Sequence, residues 1–178
     1  VIVFLLAFLM AYGAYRDRVV QYYREKKDER LLREMQRITA EIETAYRNDV
    51  DGGGTPEETI ELFIAALEKK DIAQASKYYE LSVQPKALAS LEEELKENGD
   101  LHLSINYFTE VTSKGTKECN NKGDGCTFEY VYTNVEDRES PIVGTADKIF
   151  IPKGSKSRKI VDVELNTKTN IWKLTQPL

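Results

Sequence analysis

The chain is poor in the residues that usually do chemistry. Among its 178 residues there is one histidine, His102, and one pair of cysteines, Cys119 and Cys126. A zinc site needs four ligands, and no second CxxC or neighbouring histidine supplies them, so no metal is expected. No Gly-rich phosphate loop and no Ser-His-Asp set is present, so no cofactor is expected either. The chain has little excess of positive charge anywhere. Its net charge of −5 and pI near 5.1 argue against a nucleic-acid partner. The charged fraction of 31% is of mixed sign, which does not fit a disordered polyelectrolyte. The length suits one globular domain and an appendage. The chain opens at Val1 without an initiator Met, so it is expected to be part of a longer one.

Charge is missing altogether from residues 1–15, VIVFLLAFLMAYGAY. As a helix this run would span about 22 Å, against the roughly 20 apolar residues that a bilayer core asks for. It reads as a transmembrane helix shortened at its start, or as the apolar part of a signal peptide with a weak cleavage point at Ala11-Tyr12-Gly13. No cysteine follows it directly, which excludes a lipoprotein signal. Tyr12 and Tyr15 suit an interfacial aromatic belt. The expectation is a membrane anchor that contacts lipid. Arg16, Arg18, Arg24, Lys26, Lys27 and Arg30 follow, and the positive-inside rule would put the rest of the chain in the cytoplasm. Cys119 and Cys126 flank the turn-rich CNNKGDGC, where a disulfide would pin a hairpin tip and would matter in an oxidising compartment. Two free thiols are the alternative. The cysteine pair outweighs the charges, and an extracytoplasmic domain, in the periplasm or at the cell surface, is expected.

Glycine and proline are absent from residues 16–47, which are rich in Arg, Glu, Lys and Leu. Leu31, Met35, Ile38, Ile42 and Ala45 fall at alternating spacings of four and three, a short a/d seam. Upstream the seam positions become Arg24 and Lys27 or Asp28, so the register covers about two heptads where roughly three or four would define a coiled coil. The segment is read as a helical stalk for self-association or for docking another protein subunit. The plain alternative is a solvated helix packing its stripe on its own domain. Residues 48–54, NDVDGGG, read as a Gly-rich flexible hinge. Asp49 and Asp51 are too few for calcium and are read as solvated.

Residues 55–178 read as a domain. Thr55 is a good N-cap, Pro56 fits the first helical position, and Glu58 completes a capping box. Ile60, Phe63, Ile64 and Leu67 form one apolar face. Asp71 caps a short second helix, and Pro85 starts a third, bearing Leu88, Leu91 and Leu95 and ending at Asn98-Gly99. From Leu101 the period reads as two: Leu101, Leu103, Ile105 and Tyr107 alternate with polar residues. Phe128, Tyr130 and Tyr132, then residues 148–151, 159–165 and 170–175, read as further strands, making five. Helices followed by strands mean α+β, with three helices packed on a curved antiparallel sheet.

TPEETIELFIAALEKKDIAQASKYY, together with NIWKL near the C-terminus, resembles the nuclear transport factor 2-like (cystatin-like) superfamily. The motif is a Pro-Glu-Glu start, an apolar helix, a break before Asp, and an Ala-rich helix ending in aromatics. Lys70 stands where the family's break usually has Gly. The resemblance implies a cone of helices on a curved sheet. It also implies a membrane-anchored bacterial type, similar in its anchor–stalk–cone order to a bitopic scaffold subunit of type IV secretion systems. Enzymes of the family place Asp, His or Tyr in the cone. Here His102 alternates with Leu101 and Leu103 and is expected to face water, and Asp100 sits at a turn. The expectation is therefore no catalytic residue and a protein-interaction role. Phe63, Tyr107, Phe128, Tyr130 and Trp172 are the candidates to line a cone pocket for a small apolar ligand, an alternative role. A pocket lyase or isomerase is the remote one.

Overall fold

A computed structural model describes the backbone of residues 2–141 and 148–177, and the side chains of 20–139 and 148–177. The chain divides into two compact units, Val1–Ala45 and Tyr46–Leu178.

The first unit is helix. It belongs to α1 (Ile2–Asn48), a single uninterrupted helix, as the absence of Gly and Pro over residues 16–47 dictates. Its surface carries ion pairs one turn apart, Arg33 with Glu29 at 3.2 Å and Arg37 with Glu41 at 3.7 Å, which add small increments to an isolated helix. Among the described residues no helix is long and apolar enough to cross a membrane. The side chains of the apolar run at 1–15 lie outside the described residues.

The second unit is α+β. Four helices, α2 (Pro56–Glu68), α3 (Ile72–Lys77), α4 (Gln84–Asn98) and α5 (His102–Lys114), precede the strands β1 (Thr116–Cys119), β2 (Gly125–Thr133), β3 (Arg138–Pro141), β4 (Lys148–Ile151), β5 (Lys156–Asn166) and β6 (Ile171–Leu174). At the start of α2 the Thr55 cap forms as expected, while Glu58 reaches back to the residue before the cap. The Glu58 amide donates to Thr55 Oγ1 at 3.1 Å, and the Gly54 amide donates back to Glu58 Oε2 at 2.7 Å. Asp71 caps α3 by accepting from the Gln74 amide at 3.0 Å. Lys70, at the break, has φ +56°, the left-handed conformation that a glycine adopts without strain.

Strands β1-β2-β5-β6, in that order, form one antiparallel sheet, and β3 and β4 form a separate two-stranded one. The pleat of β2 and β5 sends Cys126, Phe128, Val161 and Val163 inward. They meet α5 and the apolar stripe of α2, Ile60, Phe63 and Leu67, in one core with Tyr79, Leu91, Phe108, Val111 and Leu174.

Three expectations change. Residues 101–107 are not a strand: Leu101 directly precedes α5, and residues 102–107 are its start. Leu101, Ser104, Phe108 and Val111 are the buried positions, spaced three, four and three, while Leu103 stands 54% exposed. A short stretch fits a period of two and of 3.6 alike, and only Phe108 and Val111 decide it. The unit has four helices rather than three. Residues 148–151 are a strand but pair with β3 away from the main sheet, and the edge strand β1, exposed throughout, supplies the fourth strand of that sheet.

The third concerns residues 48–54, which pack into the domain instead of forming a free hinge. Gly53 bridges to Trp172, whose amide donates to the Gly53 carbonyl at 2.9 Å. The Gly53 amide donates to Thr59 Oγ1, itself buried. A Cβ at Gly52 would lie 2.5 Å from the Trp172 carbonyl oxygen. The glycines serve close backbone approach here, not freedom. Asp49 is buried, where solvent was expected.

Candidate functional site

The residues read as candidates fall in two places. The seam residues Leu31, Met35, Ile38, Ile42 and Ala45 all lie on α1 and are all exposed; the first four are 44–57% exposed. Leu32, which the seam reading left out, is 59% exposed beside them. Large apolar side chains standing in water along one helix are an unpartnered surface.

The five aromatic candidates lie in the second unit. Phe63, Phe128 and Trp172 are buried in the core. The Phe63 ring centre lies 4.6 Å from that of Phe108 and 5.4 Å, edge-on, from that of Tyr79. These rings pack against one another in the core. The buried Tyr79 phenol is held neutral, its pKa pushed above the ordinary value by burial. Tyr107 is half-buried, and its hydroxyl joins β5 by donating to the Ile160 carbonyl at 3.0 Å and accepting from the Ile160 amide at 2.9 Å. Tyr130, also half-buried, stacks with Tyr132 at 5.8 Å.

Around these tyrosines charge is paired. Lys159 Nζ lies 2.6 Å from Glu110 Oε2, 5.2 Å from the Tyr107 ring centre and 5.6 Å from that of Tyr132. Glu110 Oε1 also takes Lys114 Nζ at 3.0 Å. Hydrogen bonds from Lys159 and then Lys114 hold the Glu110 carboxyl below its usual range. A general base poised for neutral pH needs the opposite shift. His102 opens α5, is exposed, and makes a short contact with Asp100 through Nδ1. That contact draws the Asp100 pKa down, and both side chains stand in solvent rather than enclosed.

Cys119 and Cys126 are disulfide-bonded and stand opposite each other in the β1–β2 register, with Cα atoms 4.0 Å apart. The bond closes the turn at residues 120–124. The Asn120 amide donates to the Gly125 carbonyl, and Asn120 Nδ2 to Asp124 Oδ1 at 2.7 Å. No groups of His, Cys, Asp and Glu suited to a metal occur among the described residues.

No protein-family model matches the chain, and no curated protein or solved structure matches it.

Proposed function

We propose that this chain is a non-catalytic, single-pass membrane protein that serves as an assembly subunit. Residues 1–15 anchor it in lipid, and its α+β domain, a nuclear transport factor 2-like cone, stands outside the cytoplasm. The surface that joins it to another subunit, or to a second copy, is the α1 seam. One observation carries this reading: Leu31, Leu32, Met35, Ile38 and Ile42 stand in water along one helix, a surface that gains free energy when covered. The Cys119–Cys126 disulfide supports an oxidising compartment. The packing of Phe63 against Phe108 and Tyr79 weighs against the alternative, an apolar ligand in the cone.

The test is the mass of the full chain in a neutral detergent, by light scattering, with its co-purifying proteins. An oligomer or a defined partner complex is expected. Met35→Glu with Ile42→Glu should dissolve it while leaving the thermal midpoint of the α+β domain unchanged. A wild-type monomer that retains no protein would overturn the proposal.

A further inference from the structure

We infer that the partner covering the α1 seam is a second copy of this chain, laid parallel and in register. The inference rests on the reading of that seam as an interaction surface, and it names the occupant. The orientation follows from the two flanks of the stripe. Leu31, Met35, Ile38 and Ile42 run down its middle at spacings of four, three and four, the d and a positions of a heptad. One flank, at the g positions, carries Glu34 and Glu41. The other, at the e positions, carries Leu32 and Thr39. All of these residues are exposed. Thr39 Oγ1 donates to the Met35 carbonyl one turn back at 2.8 Å, which keeps its hydroxyl on its own helix. That flank is therefore uncharged and asks for no polar partner.

Two identical helices meet along such a stripe in one of two ways. Antiparallel, g faces g, so Glu34 and Glu41 of one copy oppose those of the other. Parallel, g faces the e position of the next heptad, so Glu34 lies opposite Thr39 of the second copy and each acidic flank borders an uncharged one. Among the described residues Glu34 has no ion pair, and Glu41 has only a loose one with Arg37, at 3.7 Å on the solvent side. The antiparallel arrangement thus sets like charges against each other, which destabilises it, and the parallel one does not. The next seam positions upstream are Asp28 and Arg24, one turn apart. In a parallel pair, each of these layers of like charge is bordered by one of the opposite sign.

Leu31, Leu32, Met35, Ile38 and Ile42 are 44–59% exposed. Covering them removes on the order of 500 Å² from each helix and about 1,000 Å² from the pair, close to the least that a stable interface needs. An interface of this size gains most from a tether that holds its halves together. Residues 1–15, anchoring two copies in one membrane, supply that tether and point both helices the same way.

The experiment uses the full chain in a neutral detergent, as single-cysteine variants under mild oxidation. Cys119 and Cys126 are bonded to each other and no cysteine is free, so an introduced thiol is the only one. Leu31→Cys and Ile42→Cys should each give a disulfide-linked dimer, because in a parallel, in-register pair every seam residue meets its own copy. The two positions lie about 16 Å apart along the helix, so an antiparallel pair brings at most one of them to its own copy. Arg33→Cys, on the far side of α1, should not link. Thr39→Lys should tighten association about threefold, and Thr39→Glu should weaken it by a similar factor, since each faces Glu34 of the second copy. Sedimentation equilibrium reads both. Failure of either Leu31→Cys or Ile42→Cys to link overturns the parallel pair, as does equal affinity of the two Thr39 variants. A monomer that retains a different protein, released by Met35→Glu with Ile42→Glu, also overturns it but leaves the seam as an interaction surface. A monomer that retains no protein overturns both.

Discussion

Lys173 Nζ lies 2.8 Å from Asp49 Oδ2, joining β6 to the strap before α2 across 124 residues of sequence. Both side chains are buried. The ammonium donates further to the Asp51 carbonyl at 2.7 Å and to the Lys77 carbonyl at 2.5 Å. One charge thus fastens the strap, the end of α3 and the last strand. Burial lowers the Lys173 pKa, an effect that Asp49 opposes.

Lys173→Met should destabilise the domain by about 3–5 kcal/mol, because it leaves Asp49 buried without its partner. Replacing both, Lys173→Met with Asp49→Leu, should recover most of that loss, since it removes the orphaned charge. Urea denaturation followed by the fluorescence of Trp172, the chain's only tryptophan, reads both variants. Equal stability of the single and double variants would contradict the pairing.

Glu94 supplies what α5 lacks in its own sequence. The residue before α5, Leu101, caps nothing. Instead the Glu94 carboxylate, ten residues upstream on α4, accepts from the Ser104 amide at 3.1 Å and, by a short bond, from the buried Ser104 hydroxyl. Glu94→Ala should cost about 1–2 kcal/mol, the worth of a helix cap, and a urea midpoint equal to the wild type would refute the role.

These two contacts mark where sequence reading stops. The Thr55 cap, the Asp71 cap and the Gly99 C-cap are local, so they were legible. So was the alternation of Phe128, Tyr130 and Tyr132. The Glu94 cap and the Lys173–Asp49 pair join residues that are distant in the chain, and nothing near either partner announces the other. Three glycines in a row read as a hinge because the composition of a close backbone approach and of a flexible linker is the same. Strand β1, TKEC, carries no alternating apolar residues because its side chains are exposed throughout and have no core face to fill. The seam on α1 was legible as a stripe, since its spacing is written in one helix.

Lys70 occupies the left-handed position at the α2–α3 break with φ +56°. A side chain there costs about 1–2 kcal/mol relative to glycine, of which glycine's greater freedom in the unfolded chain takes back part. Lys70 Nζ also donates to the Gly99 carbonyl at 2.9 Å, an exposed bond that is worth little. Lys70→Gly should therefore stabilise the domain by about 0.5–1 kcal/mol. A lowered urea midpoint would show that the Gly99 contact outweighs the backbone strain.

The Cys119–Cys126 disulfide closes a short turn between two strands of which β1 is wholly exposed. Replacing both by Ser should cost about 2 kcal/mol, at the low end for disulfides because the loop is short. That corresponds to a fall in midpoint of roughly 5–8 °C for a domain of this size. Hydrogen exchange should localise the loss to β1 and the adjoining part of β2. An unchanged midpoint on substitution, or on reduction of the wild type, would mean that the β1–β2 ladder holds without the bond.

Tyr46 gives the domain a dependence on alkaline pH. Its hydroxyl donates to Glu80 in a short hydrogen bond, and that bond, followed by burial, raises its pKa from 10.0 to about 12. A group whose folded pKa lies above its unfolded value binds its proton more tightly in the native state. Its contribution is fully present below pH 10 and is lost as pH rises from there towards about 12. The urea midpoint of the wild type should therefore fall more steeply over that interval than that of Tyr46→Phe, which has no proton to lose. The buried Tyr79 also resists ionisation, but it is present in both proteins and cancels from the difference. Parallel pH profiles would mean that the Tyr46–Glu80 bond contributes nothing to stability in solution.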